Sequence, residues 1–210
     1  MAPPLPDLTN LRELQPWGPF PRTSQRRWAE VKTPGSGSLI GLANYHQTMI
    51  ATGTPEAQAR RVVARLHEHG CQQMFWRAAS GGRRRHVHAF WDVRVATTTT
   101  PASEAVRAVT SMGSPPPGAC LHELLTTHPN VLQAYSTTTD PRNITGHQEL
   151  FGGRITVRVR NHLRFTHHGY AALAADHVGA TISVAGASQP AADTALSYLA
   201  QLLLRDLSGH

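Results

Sequence analysis

The stretch His86-Val87-His88-Ala89-Phe90-Trp91-Asp92-Val93-Arg94-Val95-Ala96 alternates along its whole length. Val87, Ala89, Trp91, Val93 and Val95 fall on one face, and His86, His88, Phe90, Asp92 and Arg94 on the other. Successive side chains of a strand point to opposite sides, so this period of two predicts a half-buried β-strand. Before it, Ser80-Gly81-Gly82-Arg83-Arg84-Arg85 reads as a turn, and Cys71 to Ala79 as the strand that pairs with it.

Further strands are predicted on both sides of this hairpin. Ser38 to Ala51 opens with Ser38-Leu39-Ile40-Gly41-Leu42-Ala43-Asn44-Tyr45-His46, a run bounded by Gly and Ser. His128 to Thr139, Arg154 to Arg160, Leu163 to Thr166 and Thr181 to Ala185 are the later candidates. In Arg154 to Arg160, Ile155, Val157 and Val159 point inward, and Arg154, Thr156, Arg158 and Arg160 outward. Two helices interrupt the series. Thr54-Pro55-Glu56 provides an N-cap and a proline at the first helical position, Ala59, Val62, Val63 and Leu66 share a face, and Gly70 ends it. A shorter helix starts at Thr100-Pro101-Ala102-Ser103-Glu104, followed by a Pro-rich loop from Gly113 to Gly118.

Thr194 to Leu207 is so apolar that pattern alone leaves it open. Leu196, Leu199, Leu203 and Leu207 suit a helix; Leu196, Tyr198, Ala200, Leu202 and Leu204 suit a strand. His167-His168 before Gly169-Tyr170 reads as a polar loop, with a metal or proton site as the alternative. Many short strands between Gly and Pro turns, without βαβ alternation, predict an all-β sandwich or barrel.

The chain of 210 residues suits a single domain preceded by an arm. Residues 1–37 read as that arm, because Pro3, Pro4, Pro6, Pro16, Pro19 and Pro21 break helices and central strands. Residues 38–210 read as the β domain. The formal charge is +7, carried almost wholly by Arg, with Lys32 the single lysine. Such a basic surface favours polyanions, and no run reaches the roughly 20 apolar residues of a membrane span. Met1-Ala2-Pro3-Pro4 lacks the charged start and apolar run of a signal peptide. Two cysteines, Cys71 and Cys120, are too few for a disulfide framework.

Three arginine clusters are candidates for phosphate neutralisation: Arg22, Arg26 and Arg27 in the arm; Arg83, Arg84 and Arg85 in the turn; and Arg154, Arg158 and Arg160 on one strand face. Guanidinium groups there would hold nucleic acid without reading its sequence. The enzymatic alternative is His86-Val87-His88: two imidazoles at i and i+2 on one strand face can share a divalent metal, as in HUH endonucleases beside a nucleophilic Tyr. Tyr135 and Tyr170 are the candidate nucleophiles. A small basic RNA-binding module is a third reading. There is no Gly-x-Ser-x-Gly elbow and no Walker or dinucleotide glycine loop.

The order of features resembles the coat proteins of the tymovirus family. Gly18-Pro19-Phe20 is similar to the Pro-Phe leading from their arm into the barrel, and Ser38-Leu39-Ile40-Gly41-Leu42-Ala43-Asn44 to their first barrel strand. Met74-Phe75-Trp76-Arg77 and His88-Ala89-Phe90-Trp91-Asp92-Val93 look like their third and fourth strands. Ala180-Thr181-Ile182-Ser183-Val184-Ala185, Gln189-Pro190-Ala191 and Thr194-Ala195-Leu196 resemble the closing pair. The resemblance implies an eight-stranded antiparallel jelly roll with two inserted helices, in which Leu196 to Leu204 is a strand. Val87, Trp91, Ile155, Val157, Ile182 and Val184 would be buried between its two sheets. It implies a non-enzymatic protein without a cofactor that self-assembles into an icosahedral shell around single-stranded RNA. Its place would be the virion, assembled in the host cytoplasm, with histidines at subunit contacts as candidate pH sensors.

Overall fold

The computed structural model of the protein describes residues 2–20, 27–30, 37–51, 55–83, 86–110, 120–121, 125, 127–138, 148–150, 153–155, 162–163 and 167–208. In chain order its elements are helix α1 (Thr9–Glu13), strands β1 (Arg27–Glu30) and β2 (Ser38–Gly41), helices α2 (Leu42–Ala51) and α3 (Glu56–Glu68), strands β3 (Gln73–Arg83) and β4 (His86–Thr97) and helix α4 (Ala102–Thr110). There follow β5 (Cys120–Leu121), β6 (Val131–Thr138), β7 (Gln148–Leu150), β8 (Gly153–Ile155), β9 (His162–Leu163), β10 (His167–Ala175), β11 (Val178–Gly186) and helix α5 (Gln189–Ser208).

Nine of these strands form one sheet, ordered β1-β3-β4-β11-β10-β6-β5, with β2 also on β3 and β9 on β4; β7 and β8 pair separately. Every pairing is antiparallel except the short one of β4 with β9. The β-rich, antiparallel character expected from the sequence is therefore present, and the β3–β4 hairpin is formed, although β3 continues to Arg83 through residues that the sequence assigned to the turn.

What covers the sheet differs from the expectation. The register aligns Phe75 with Val95, Val93 with Ile182, and Ile182 with Ala171, so these side chains share one face. That face packs under α5 and α1 in a single core with Leu11, Leu196, Leu199 and Leu203. The opposite face, with Met74, Trp76, Phe90 and Ala185, packs under α2 and α3. Tyr135, Tyr170 and Ala172 meet Val106 of α4 on that same side. The result is three layers, helices on both faces of one sheet, rather than two facing sheets. Five helices are found among the described residues instead of two. Trp91, Ile182 and Val184 are buried as expected, but against α5; the side chains of Val87, Ile155 and Val157 lie outside the described residues.

Four local readings change accordingly. First, β4 is not half-buried: Phe90 and Asp92, assigned to its polar face, are 3% and 2% exposed because α2 and α3 cover them. Second, only Ser38–Gly41 of the predicted first strand is extended. From Leu42 the chain is helical, since Leu42, Tyr45 and Met49 recur at helical spacing and meet the sheet together.

Third, Leu196 to Leu204 is helical. Ala192, Ala195, Leu196, Leu199 and Leu203 make a fully buried stripe, whereas Tyr198, inward in the strand reading, is exposed. Pro190 sits in the first turn of α5, where its missing N–H costs nothing. Fourth, the polar loop at His167-His168 is the start of β10, a strand buried along almost its whole length.

The N-terminal segment is likewise part of the domain as far as residue 20. Leu8, Leu11, Leu14 and Phe20 belong to the core, Trp91 Nε1 donates to the Pro16 carbonyl at 2.8 Å, and Arg77 Nη1 donates to the Arg12 carbonyl at 2.9 Å. The prolines are expected to break any helix here, yet the one-turn α1 fits between them, and Arg27–Glu30 pairs with β3.

Candidate ligand-binding site

Beneath α2, α3 and α4, on the face of the sheet opposite α5, lies a cavity of about 70 Å³. Its walls come from Met49 of α2, Val62 and Leu66 of α3, and Ala105 and Val106 of α4. The sheet supplies Met74, Arg94, Ala96 and Thr181. Two glycines bring these pieces together. Gly70 ends α3 with a φ of +73°, a conformation that L side chains rarely adopt. Gly179 lets α4 lie on β11: a Cβ there would stand 2.6 Å from Val106 Cγ2.

The polar chemistry of the cavity follows from β4. Asp92 and Arg94 are two residues apart, so both project towards α2, and Arg94 Nη2 donates to Asp92 Oδ2 at 3.2 Å. On β3, Trp76 lies opposite Arg94, and its indole N–H donates to the same carboxylate oxygen. Arg94 Nη1 donates to the Tyr45 hydroxyl at 3.1 Å, and the guanidinium stands 5.8 Å from the centre of the Tyr45 ring. Burial raises the Tyr45 pKa above its ordinary value, so the hydroxyl remains protonated at neutral pH. The Arg94 Nε, covered by protein, has no acceptor among the described residues. Thr181 of β11 is opposite Arg94 on the other side.

Asp92 accepts from both Trp76 and Arg94, an arrangement that holds a charge pair rather than a free base. Nearby Cys71 is a free, buried thiol, and burial pushes its pKa up to about 11, away from reactivity. Among the described residues no group of three or more His, Cys, Asp or Glu gathers at metal-binding distances. The site therefore combines an apolar wall with a cluster of hydrogen-bond donors, the usual make-up of a small-molecule pocket.

The residues singled out from the sequence lie elsewhere or outside the described residues. Arg22, Arg26, Arg84, Arg85, Arg158 and Arg160 are outside them, as are the side chains of His86 and Arg154. Arg27 and Arg83 are exposed at one corner of the sheet. Arg27 is opposite Gly82, so Arg83, one residue along, projects to the other face. His88 is half-buried on β4. Tyr170 is opposite Ser183, which is opposite Asp92, so it lies two strands away from β4 and four residues along from His88. At strand spacings that separation is roughly 16 Å, too far for a metal at His88 to activate Tyr170. Tyr135 is one strand further off, its ring 5.5 Å from that of Tyr170.

Sequence reasoning missed the site because it took the polar residues of β4 as solvent-facing. The signal was present in the Asp92-x-Arg94 spacing: opposite charges two apart on one strand face form a pair that tolerates burial.

A β-rich domain with helices on both faces of an antiparallel sheet and a donor-lined apolar cavity is the class that fold and site define. No known protein family and no curated protein matches the chain. Among solved structures, an uncharacterized protein of Mycobacterium smegmatis (Rv0999 ortholog) aligns over 94% of this chain and 97% of its own, at 9% identity and a TM-score of 0.33. No helix among the described residues is long and apolar enough to cross a membrane.

Proposed function

We propose that the protein is a small-molecule-binding module whose site is the cavity under α2, α3 and α4. The observation that carries this reading is a charged guanidinium, its side chain 22% exposed and paired with buried Asp92, beside a buried, protonated tyrosine at the wall of a largely apolar cavity. A fold has little to gain from such a pair in place of hydrocarbon, since burying ions costs at least what their attraction returns. A bound molecule that uses their hydrogens supplies the reason for keeping them. The ligand has an apolar body, against Val62, Leu66, Met74 and Val106, and an oxygen-bearing head at Arg94 and Tyr45.

The test is a titration of the isotopically labelled protein with cyclopentanone, followed by methyl NMR. Saturable shifts confined to Met49, Val62, Leu66, Met74 and Val106 are expected. Scattered shifts, or none up to the solubility of the probe, would refute the reading.

The RNA-packaging coat protein is a second proposal, supported by the sequence resemblance, the net charge of +7 and the exposure of Arg27 and Arg83. Its finer architectural claim, an eight-stranded jelly roll, requires a second sheet where α5 covers the first. Electron microscopy and light scattering in neutral buffer, with and without RNA, decide it. Uniform shells tens of nanometres across would support it, and a stable monomer or dimer would remove it.

A further inference from the structure

The balance of charge and hydrogen-bond donors at the polar end of the cavity narrows the ligand further. Building on the binding-module reading, we infer that the head group is an uncharged hydrogen-bond acceptor, a carbonyl oxygen, and not a carboxylate.

The inference starts from a count of donors. An arginine carries five N–H hydrogens. One from Nη2 goes to Asp92 and one from Nη1 to the Tyr45 oxygen, and no other side-chain acceptor among the described residues meets the guanidinium. The Tyr45 hydroxyl accepts the Arg94 bond, and its own proton has no acceptor among the described residues. The polar end thus offers a surplus of donors to an incoming oxygen. An amine or ammonium would face the guanidinium hydrogens and find only hydroxyl oxygens, such as those of Tyr45 and Thr181, to accept from it.

Charge then decides between the oxygen-bearing heads. Asp92 is 2% exposed and lies 3.2 Å from Arg94, so the positive charge is already cancelled inside the protein. A carboxylate entering the cavity would lose its hydration and find no net charge in return, with the Asp92 carboxylate close behind the guanidinium. A ketone or ester carbonyl needs only the hydrogen bonds, at much lower desolvation cost. The cavity holds the small end of such a molecule: at about 70 Å³ it is roughly half the cavity that encloses one benzene ring.

The experiment compares three probes of one carbon frame, cyclopentanone, cyclopentanecarboxylate and cyclopentane, by NMR titration at pH 7.5. Cyclopentanone should bind about fivefold tighter than cyclopentane, the worth of one net hydrogen bond, and tighter than the carboxylate. In Asp92→Asn the carbonyl of the amide still accepts from Trp76, but the Arg94 charge is uncancelled. The carboxylate should then gain about tenfold relative to the ketone. Tyr45→Phe, which keeps the ring, should shrink the advantage of the ketone over cyclopentane about threefold and guards against misfolding of the Asp92 variant.

A wild-type preference for the carboxylate, or equal binding of ketone and cyclopentane, would overturn this inference while leaving a binding pocket in place. Unchanged affinity ratios among the probes in both variants would overturn it too. Failure of all three probes to bind would remove the binding-module reading itself, a distinguishable result.

Discussion

His168 shows what burial does to one titratable side chain. It is 2% exposed on β10, in register with Thr137 on one side and Ala185 on the other. Burial, and secondly the positive charge of His167, lowers its pKa from 6.5 to about 4. Above pH 6.5 the imidazole is neutral whether the chain is folded or not. Between about 6.5 and 4 the unfolded chain takes up a proton that the folded chain refuses, so stability falls as the pH falls. The loss should approach about 3 kcal/mol at pH 4 and then level off. Denaturant unfolding of wild type and His168→Leu at pH 7 and pH 4.5 checks the sign. The variant should lose less stability than wild type over that interval, and equal losses would show that His168 does not carry the effect.

Helix α1 is a five-residue element that could not stand alone, since nucleating a single turn is unfavourable. No side chain of its own caps it. Asp206 of α5 does so instead, accepting from the backbone N–H groups of Asn10 at 3.3 Å and Leu11 at 3.2 Å, and also from the Asn10 amide. At the other end Arg77 of β3 donates to the Arg12 carbonyl and pairs with Glu30 of β1 at 2.6 Å. Asp206→Ala leaves two helix N–H groups without acceptors and should cost about 1–3 kcal/mol. Urea unfolding measures this, and hydrogen exchange at Asn10 and Leu11 should accelerate in the variant alone. The same element explains a limit of local reading. The prolines of residues 1–37 read as breaking any helix, but a one-turn helix held by distant side chains leaves no local signature. The β3–β4 hairpin and α3 were legible because each carries its own period and stops. Helix α5 was not, because its Ala and Leu residues are apolar enough to satisfy both periods, and the exposed Tyr198 identifies the helix only once the neighbouring layer is known.

At the scale of the molecule, the sequence announced a sheet but not what lies on it. Local alternation reports that one side of β4 is apolar; it is silent on whether the other side meets water or α2 and α3, and the hidden Asp92–Arg94 pair is the consequence. The order of strands, with β11 between β4 and β10, likewise depends on contacts between distant segments that no local pattern records. The layer opposite the cavity is built from both ends of the chain, α1 and α5 on one sheet face. This makes a prediction that separates an integral first layer from a dispensable arm. Removing residues 2–20 takes Leu8, Leu11, Leu14 and Phe20 out of the core. Each such side chain is worth about 1.5–3 kcal/mol on burial, and a domain has only about 5–15 kcal/mol in all. The truncated chain should therefore lose its cooperative thermal transition and its near-ultraviolet circular dichroism, which reports the packing of Trp91 and Phe75 on that face. Trp91 is doubly exposed to the change, because its indole N–H also loses the Pro16 carbonyl. A truncated chain that melts cooperatively at the temperature of the full-length protein would show the N-terminal segment to be a separable arm after all.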